Sequence, residues 1–175
     1  RYTTSGGTDE ESLIKGMQPA LAETEKTSVA VSFNGNVVNS LQLRKEVEKK
    51  LGKFPYACDA ELICKKLLMG LMEHDDLFSA VKDSMNEVDG AFSVTGITQD
   101  GRLFAFRDPF GIRPLCSGYG RDHSVYAFSS ESVGLDINNL KYDSEIKPGE
   151  LVSPTKDGFL REQVVPCKRR ALCAF

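Results

Sequence analysis

The sequence predicts an α+β fold, with helices packed against antiparallel sheets. Three observations predict it. Between Leu41 and Val88, apolar residues recur at helical spacing. After Gly90 the texture changes to short apolar runs separated by turn residues. Strands and helices do not alternate, as they would in a parallel sheet built from βαβ units.

Each element has its own local reason. Residues 1–26 are polar, with Ser5-Gly6-Gly7 early and a Gln18-Pro19 break, and read as loop. Thr27–Phe33 alternates and is rich in Val and Ser, so a strand is expected. Asn39 reads as a helix N-cap, followed by Leu41, Leu43, Val47 and Leu51 on one face, with Gly52 as the stop. Asp59 reads as the cap of a second helix with Leu62, Ile63, Leu67 and Met69 as its buried stripe and Gly70 near its end. Asp75-Asp76 open a third, with Leu77, Phe78, Val81, Met85 and Val88 inward and acidic residues suited to the positive end of the helix dipole.

Ala91–Thr98, Leu103–Arg107, Leu115–Gly120 and Val125–Phe128 then read as a meander of antiparallel strands. Ser130–Leu135 has room for a short helix. Pro148-Gly149 precedes a strand at Glu150–Ser153, and Lys156-Asp157-Gly158 turns into a last strand at Phe159–Val165.

Composition narrows the function classes. At 175 residues the chain is the size of one domain and can bury a sizeable core. The net charge of −3 and a single tight basic cluster, Lys168-Arg169-Arg170, argue against a nucleic-acid partner. Five cysteines, Cys58, Cys64, Cys116, Cys167 and Cys173, show neither CxxC nor CxxxH spacing. Neither a zinc site nor a disulfide framework is expected, and free thiols in a reducing cytoplasm fit best. No apolar run is long enough to cross a membrane.

Three small constellations could carry chemistry. Asn34-Gly35 ends the first predicted strand. Taken alone it reads first as a tight hairpin turn. An Asn side-chain amide and a Gly backbone N–H on one bend can also converge on a developing oxyanion. Asp59, in Cys58-Asp59-Ala60-Glu61, reads as an N-cap or as a carboxylate for a substrate ammonium. Arg1, with Thr3 and Thr4 on a Gly-rich loop, reads as a solvated terminal residue or as a carboxylate clamp. Together they describe a site for an α-amino acid with a side-chain carbonyl, for which glutamine is the obvious ligand. His74 and His123 lie in polar turns without an evident acidic or thiol partner and read as surface residues. Cys58 reads as a buried small residue at a helix start, since no neighbouring base or cation would activate it. Neither a GxSxG elbow nor a phosphate-cradling GxGxxG is present.

Several motifs in one order resemble the class II glutamine amidotransferase domain of the amidophosphoribosyltransferase family. They are RYTTSGG at the start, GMQP (16–19), FNGNVVNSLQLR (33–44), CDAE (58–61), DGAFS (89–93), RDPFGIRPL (107–115), SSES (129–132), IKPGELV (146–152) and the final RALCAF. The related asparagine synthetases carry Lys where this chain has Arg113.

The resemblance implies a four-layer αββα N-terminal-nucleophile hydrolase sandwich with two antiparallel sheets, here incomplete at its N-terminus. It implies an amidotransferase domain over residues 1–165 and a linker over 166–175, leading toward a phosphoribosyltransferase domain absent from this chain. The implied reaction is glutamine to glutamate plus ammonia, with the ammonia passed on to aminate phosphoribosyl pyrophosphate in purine synthesis. By resemblance, Asn34 and Gly35 form the oxyanion hole, Arg1 holds the glutamine carboxylate, Asp59 binds the α-amino group, and Thr4 lines the pocket.

The family nucleophile is an N-terminal Cys whose own α-amino group is the base. It would lie upstream of Arg1, and the chain as written is expected to be inactive without it. Phe33 stands where the family usually has His. Magnesium would belong to the transferase domain, and an iron–sulfur cluster, carried by some members, would have Cys173 near one ligand position. The expected setting is a cytoplasmic homo-oligomer. The competing readings are a glutaminase domain of the asparagine or glutamate synthase type, and a relative that kept the fold without the nucleophile.

Overall fold

The structure is a computed structural model and describes residues 16–54 and 58–168. Nine strands and four helices lie among them: β1 (Ala20–Glu23), β2 (Ser28–Val37), α1 (Ser40–Leu51), α2 (Asp59–His74), α3 (Leu77–Glu87), β3 (Gly90–Thr98), β4 (Leu103–Arg107), β5 (Cys116–Tyr119), β6 (Tyr126–Ser129), α4 (Ser132–Ile137), β7 (Lys141–Glu145), β8 (Glu150–Thr155) and β9 (Gly158–Gln163). They form a six-stranded sheet in the order β1-β2-β3-β4-β8-β9 and a three-stranded sheet in the order β6-β5-β7. Every recorded pairing is antiparallel. The α+β expectation holds.

Helices α1 to α3 cover one face of the large sheet. Val29, Val31, Phe33 and Val37 of β2 bury their side chains with Phe92, Phe104 and Phe106 and with Leu43, Val47, Leu62, Ile63 and Leu67 from the helices. Phe33 stacks on Phe92, and Phe92 meets Phe106 edge-on, both with centroids about 6 Å apart, an arrangement that adds to plain area burial. On its other face the large sheet packs Ala105 of β4 and Val152 of β8 against Leu115 and Ile146, which adjoin β5 and β7 of the small sheet, with Phe128 and Phe159 packed against them. Helix α4 rests on β6 and β7 and makes a thin fourth layer.

Two side-chain ties join the sheets. Arg161 of β9 donates from Nη2 to Asp143 Oδ2 (2.5 Å) and Ser117 Oγ (2.6 Å) of the small sheet. Buried Arg107 of β4 donates from Nη1 to Glu145 Oε1 (2.7 Å) and to the Ile146 carbonyl (2.6 Å).

Several expectations are corrected. The predicted loop 1–26 contains β1, whose Ala20 and Ala22 are buried. Polar β7, with its sequence KYDSE, was not expected at all. The meander is split, because β4 leads across to β5 in the second sheet and the chain returns at β8. Leu41 is 77% exposed and lies off the buried stripe of α1. Asn39 stands at the N-cap of α1 but makes no side-chain cap bond. It ties instead to the α3–β3 loop, donating to the Glu87 carbonyl and accepting from Asp89 N–H. Gly70 lies inside α2 and marks the crossing with α3, where an added Cβ would come 2.7 Å from Ala80 Cα. Asp76 alone caps α3, accepting from the N–H groups of Phe78 and Ser79, while Asp75 ends α2 in the left-handed region.

Candidate functional site

The Asn-Gly pair does not turn the chain. Strand β2 runs straight through it, with Asn34 opposite Ser93 and Gly35 opposite Phe92. The hairpin reading is therefore wrong. Gly35 is explained by space: a Cβ there would lie 2.3 Å from the Ala91 carbonyl oxygen and 2.7 Å from Phe92 Cα.

The alternation of β2 sorts its backbone groups by parity. Even-numbered residues face β3: Val38 N–H, just past the strand, donates to Asp89 O. Odd-numbered residues face the other edge, where β1 pairs only as far as Ala20 with Val31. Beyond that point side chains take over. Phe33 N–H donates to Gln18 Oε1 (2.7 Å) and Val37 N–H donates to Asp59 Oδ2 (3.0 Å). Gly35 lies between them and turns its N–H to the same open edge, about 7 Å from each along the strand.

Asn34 projects from the sheet face toward the second sheet. With Gln18, Ser32, Phe33, Ser93, Thr95, Leu115, Phe128, Ser129 and Ser130 it lines a cleft of about 400 Å³. The floor is polar where β2 and β3 run side by side and apolar where Leu115 and Phe128 close it. An exposed amide from Asn34 and an edge N–H from Gly35 can act together on a carbonyl oxygen that gains charge.

Asp59 is the first residue of α2, with Cys58 as the N-cap, so the capping reading is shifted by one. Its carboxylate is 8% exposed and reaches across to Val37. It is joined to the Asn34-Gly35 stretch through the backbone of β2 and does not line the cleft. Arg1 and Thr4 lie outside the described residues, as does Cys173. Phe33 is 2% exposed and belongs to the helix-side core, with only its N–H at the edge.

Most of the described cysteines are shielded from solvent. Cys58, Cys64 and Cys116 are buried, and Cys167 is exposed. Burial pushes the Cys64 thiol up to about 12, and burial also raises that of Cys116, the reverse of what a reactive thiolate needs. Among the described residues the group with metal-ligand spacing is Glu73, His74 and Asp83 on the surface, without a cysteine. His74 does have an acidic partner, contrary to expectation: its Nε2 lies 2.7 Å from Asp83 Oδ2.

Asp108 and Gln18 are the residues that motif reading passed over. Asp108, in RDPFGIRPL, is fully buried and accepts from the N–H groups of Phe92 (3.0 Å), Phe110 (2.8 Å) and Gly111 (3.0 Å). A carboxylate inside a turn-forming Asp-Pro-Phe-Gly was the available signal.

A two-sheet antiparallel sandwich with an exposed Asn34 amide beside the edge N–H of Gly35 is suited to acyl-transfer chemistry. Residues 9–136 match the family described as glutamine amidotransferase domain, and the chain belongs to that family. Among curated relatives, the amidophosphoribosyltransferase of Synechococcus elongatus is 37% identical over 177 residues, covering all of this chain and 35% of the relative. That of Methanocaldococcus jannaschii is 35% identical over 158 residues, covering 90% of this chain and 32% of the relative. The chain thus spans about a third of the length of these relatives. The solved glutamine phosphoribosylpyrophosphate amidotransferase of B. subtilis, complexed with ADP and GMP, superposes with a TM-score of 0.82 at 26% identity, over 99% of this chain and 35% of that one. A structure described as the allosteric regulatory enzyme of purine biosynthesis gives 0.83 at 28% identity.

Proposed function

We propose that this chain is the glutamine-hydrolysing part of an amidophosphoribosyltransferase, releasing ammonia from glutamine to aminate phosphoribosyl pyrophosphate in the first step of purine synthesis. The observation that carries the reading is the 37% identical amidophosphoribosyltransferase aligned along the whole chain. The open-edge geometry of Asn34 and Gly35 supports it.

In the proposed reaction a thiolate from an N-terminal Cys, supplied from outside these 175 residues, attacks the side-chain carbonyl of glutamine. The oxyanion so formed accepts from the Asn34 amide and the Gly35 N–H. Ammonia leaves after the Cys amine has passed it a proton, and water then hydrolyses the thioester to glutamate. Asp59 holds the substrate ammonium and Arg1 its carboxylate, with Thr4 beside it. The partners are glutamine and, through a transferase domain with its magnesium, phosphoribosyl pyrophosphate. The setting is a cytoplasmic homo-oligomer. No helix among the described residues is long and apolar enough to cross a membrane.

The test is treatment of the protein expressed from its complete gene with a diazo-ketone analogue of glutamine, followed by intact mass and a glutaminase assay. One label on an N-terminal Cys, with glutamate release abolished, is expected. A protein that takes no label and releases no glutamate sinks the reading and leaves a fold kept for binding.

A further inference from the structure

Asp108 lies 74 residues from Asn34 in sequence and does not line the cleft, yet its bonds end directly opposite the Asn-Gly pair. Phe92 is the cross-strand partner of Gly35. Both backbone groups of Phe92 turn away from β2 and toward Asp108. Its N–H donates to Asp108 Oδ2 and its carbonyl accepts from Asp108 N–H, each at 3.0 Å. The β3–β4 pairing registers only from Ser93 with Arg107 onward. The carboxylate therefore stands in for the strand that has ended. An antiparallel residue whose two groups face one neighbour leaves the opposite pair without ladder bonds. Gly35 is in that pair, so its N–H and carbonyl point outward to the open edge of β2.

We infer that Asp108 is a positioning residue for the oxyanion pair: its buried carboxylate anchors the Phe92 end of β3, and with it the position in which Gly35, packed against Phe92, presents its N–H at the open edge of β2. Two features make the coupling stiff. The strands touch at Gly35, where no Cβ would fit against Phe92. The other carboxylate oxygen of Asp108 is held by Phe110 and Gly111, in a loop whose neighbour Arg107 bonds Ile146 O and Glu145 of the second sheet. Removing the carboxylate leaves the buried Phe92 N–H, which points away from β2, without its acceptor. The Phe92 end of β3 then loosens, and Gly35, packed against Phe92, shifts with it. The inference rests on the glutaminase reading.

The test uses Asp108→Ala and Asp108→Asn in the protein expressed from its complete gene, beside the parent and Asn34→Ala. Glutaminase kcat and KM, unfolding midpoint and amide exchange by mass spectrometry are measured. A misplacement of about 1 Å costs on the order of 10²-fold in rate, so Asp108→Ala should lower kcat by about that factor with KM for glutamine within about twofold. Asp108→Asn, which keeps one accepting oxygen, should recover part of the loss and serves if the alanine variant does not fold. Faster exchange should be confined to peptides from β2 and β3. A folded Asp108→Ala protein with parental kcat overturns the inference, as does a loss of rate that tracks only the folded fraction. A parent without glutaminase activity overturns the functional reading instead, while the exchange pattern still reports on how Asp108 anchors β3.

Discussion

Replacing Gly35 with Ala would test the central geometry most directly. The added methyl would stand 2.3 Å from the Ala91 carbonyl oxygen and 2.7 Å from Cα and Cβ of Phe92. None of these atoms is the free end of a flexible side chain. Ordinary contact needs about 3.4 Å, so β3 must retreat by about 1 Å along a stretch clamped by Asp108. Overpacking of this kind costs about 1–3 kcal/mol, and backbone obstacles place Gly35 at the upper end. At about 2–4 °C per kcal/mol for a chain of this size, a loss near 3 kcal/mol lowers the midpoint by roughly 6–12 °C. Thermal unfolding followed by circular dichroism reads it. The same retreat moves the Gly35 N–H, so glutamate release at a temperature where the variant is folded should fall by about 10²-fold. A midpoint within about 1 °C of the parent would show that β2 and β3 are not held in contact at Gly35, and the reasoning would fail.

Other substitutions probe single parts. Asn34→Ala should lower glutaminase kcat by about 10²–10³-fold with little change in melting, since it removes one exposed donor; an unchanged kcat would remove Asn34 from the chemistry. Asp59→Asn should raise KM for glutamine by about tenfold or more, from the loss of a charged partner, and a KM equal to the parent's would count against ammonium binding. Burial pushes the Asp143 carboxyl up, but hydrogen bonds from Ser117, Arg161 and Ser144 and the Arg161 charge outweigh it and hold it below its ordinary 3.8. A carboxyl depressed by folding adds stability above its unfolded value and loses it as pH falls through the folded value. Acid titration of stability should thus show a loss below about pH 3.8 that Asp143→Asn flattens; an identical acid limb in both proteins would contradict the tie.

The long amphipathic elements were legible because their signals are local. Helices α2 and α3 follow their apolar stripes, and β3, β4 and β8 follow their apolar runs. Strand β1 was lost because ALAE is short and follows Pro19, and β7 because KYDSE is exposed along most of its length and shows no alternation. The turn reading of Asn34-Gly35 had a countersignal in the sequence: Val29, Val31, Phe33 and Val37 keep one parity across the Asn-Gly-Asn, as a continuous strand requires. Asn34, Gly35 and Asp59 could be singled out by residue type. The bond from Val37 to Asp59, the crossing at Gly70 and the His74–Asp83 contact could not, because each joins segments brought together only by the fold. Asp108 was hidden for the same reason, since its partner Phe92 is 16 residues away across a sheet.

Strand β2 divides its labour by odd and even positions, and that constrains how the gene can change. Even residues build the sheet against β3, and odd ones meet Gln18 and Asp59 at the free edge. Inserting or deleting one codon between Val31 and Asn34 would swap the two sets from that point on. The Gly35 amide would turn into the sheet, and Asn34 would turn from the cleft into the aromatic stack around Phe92. Lineages should therefore drift freely on the exposed side of α1, where Leu41 already faces water. Length changes in this short stretch of β2 should be purged whatever residues they introduce.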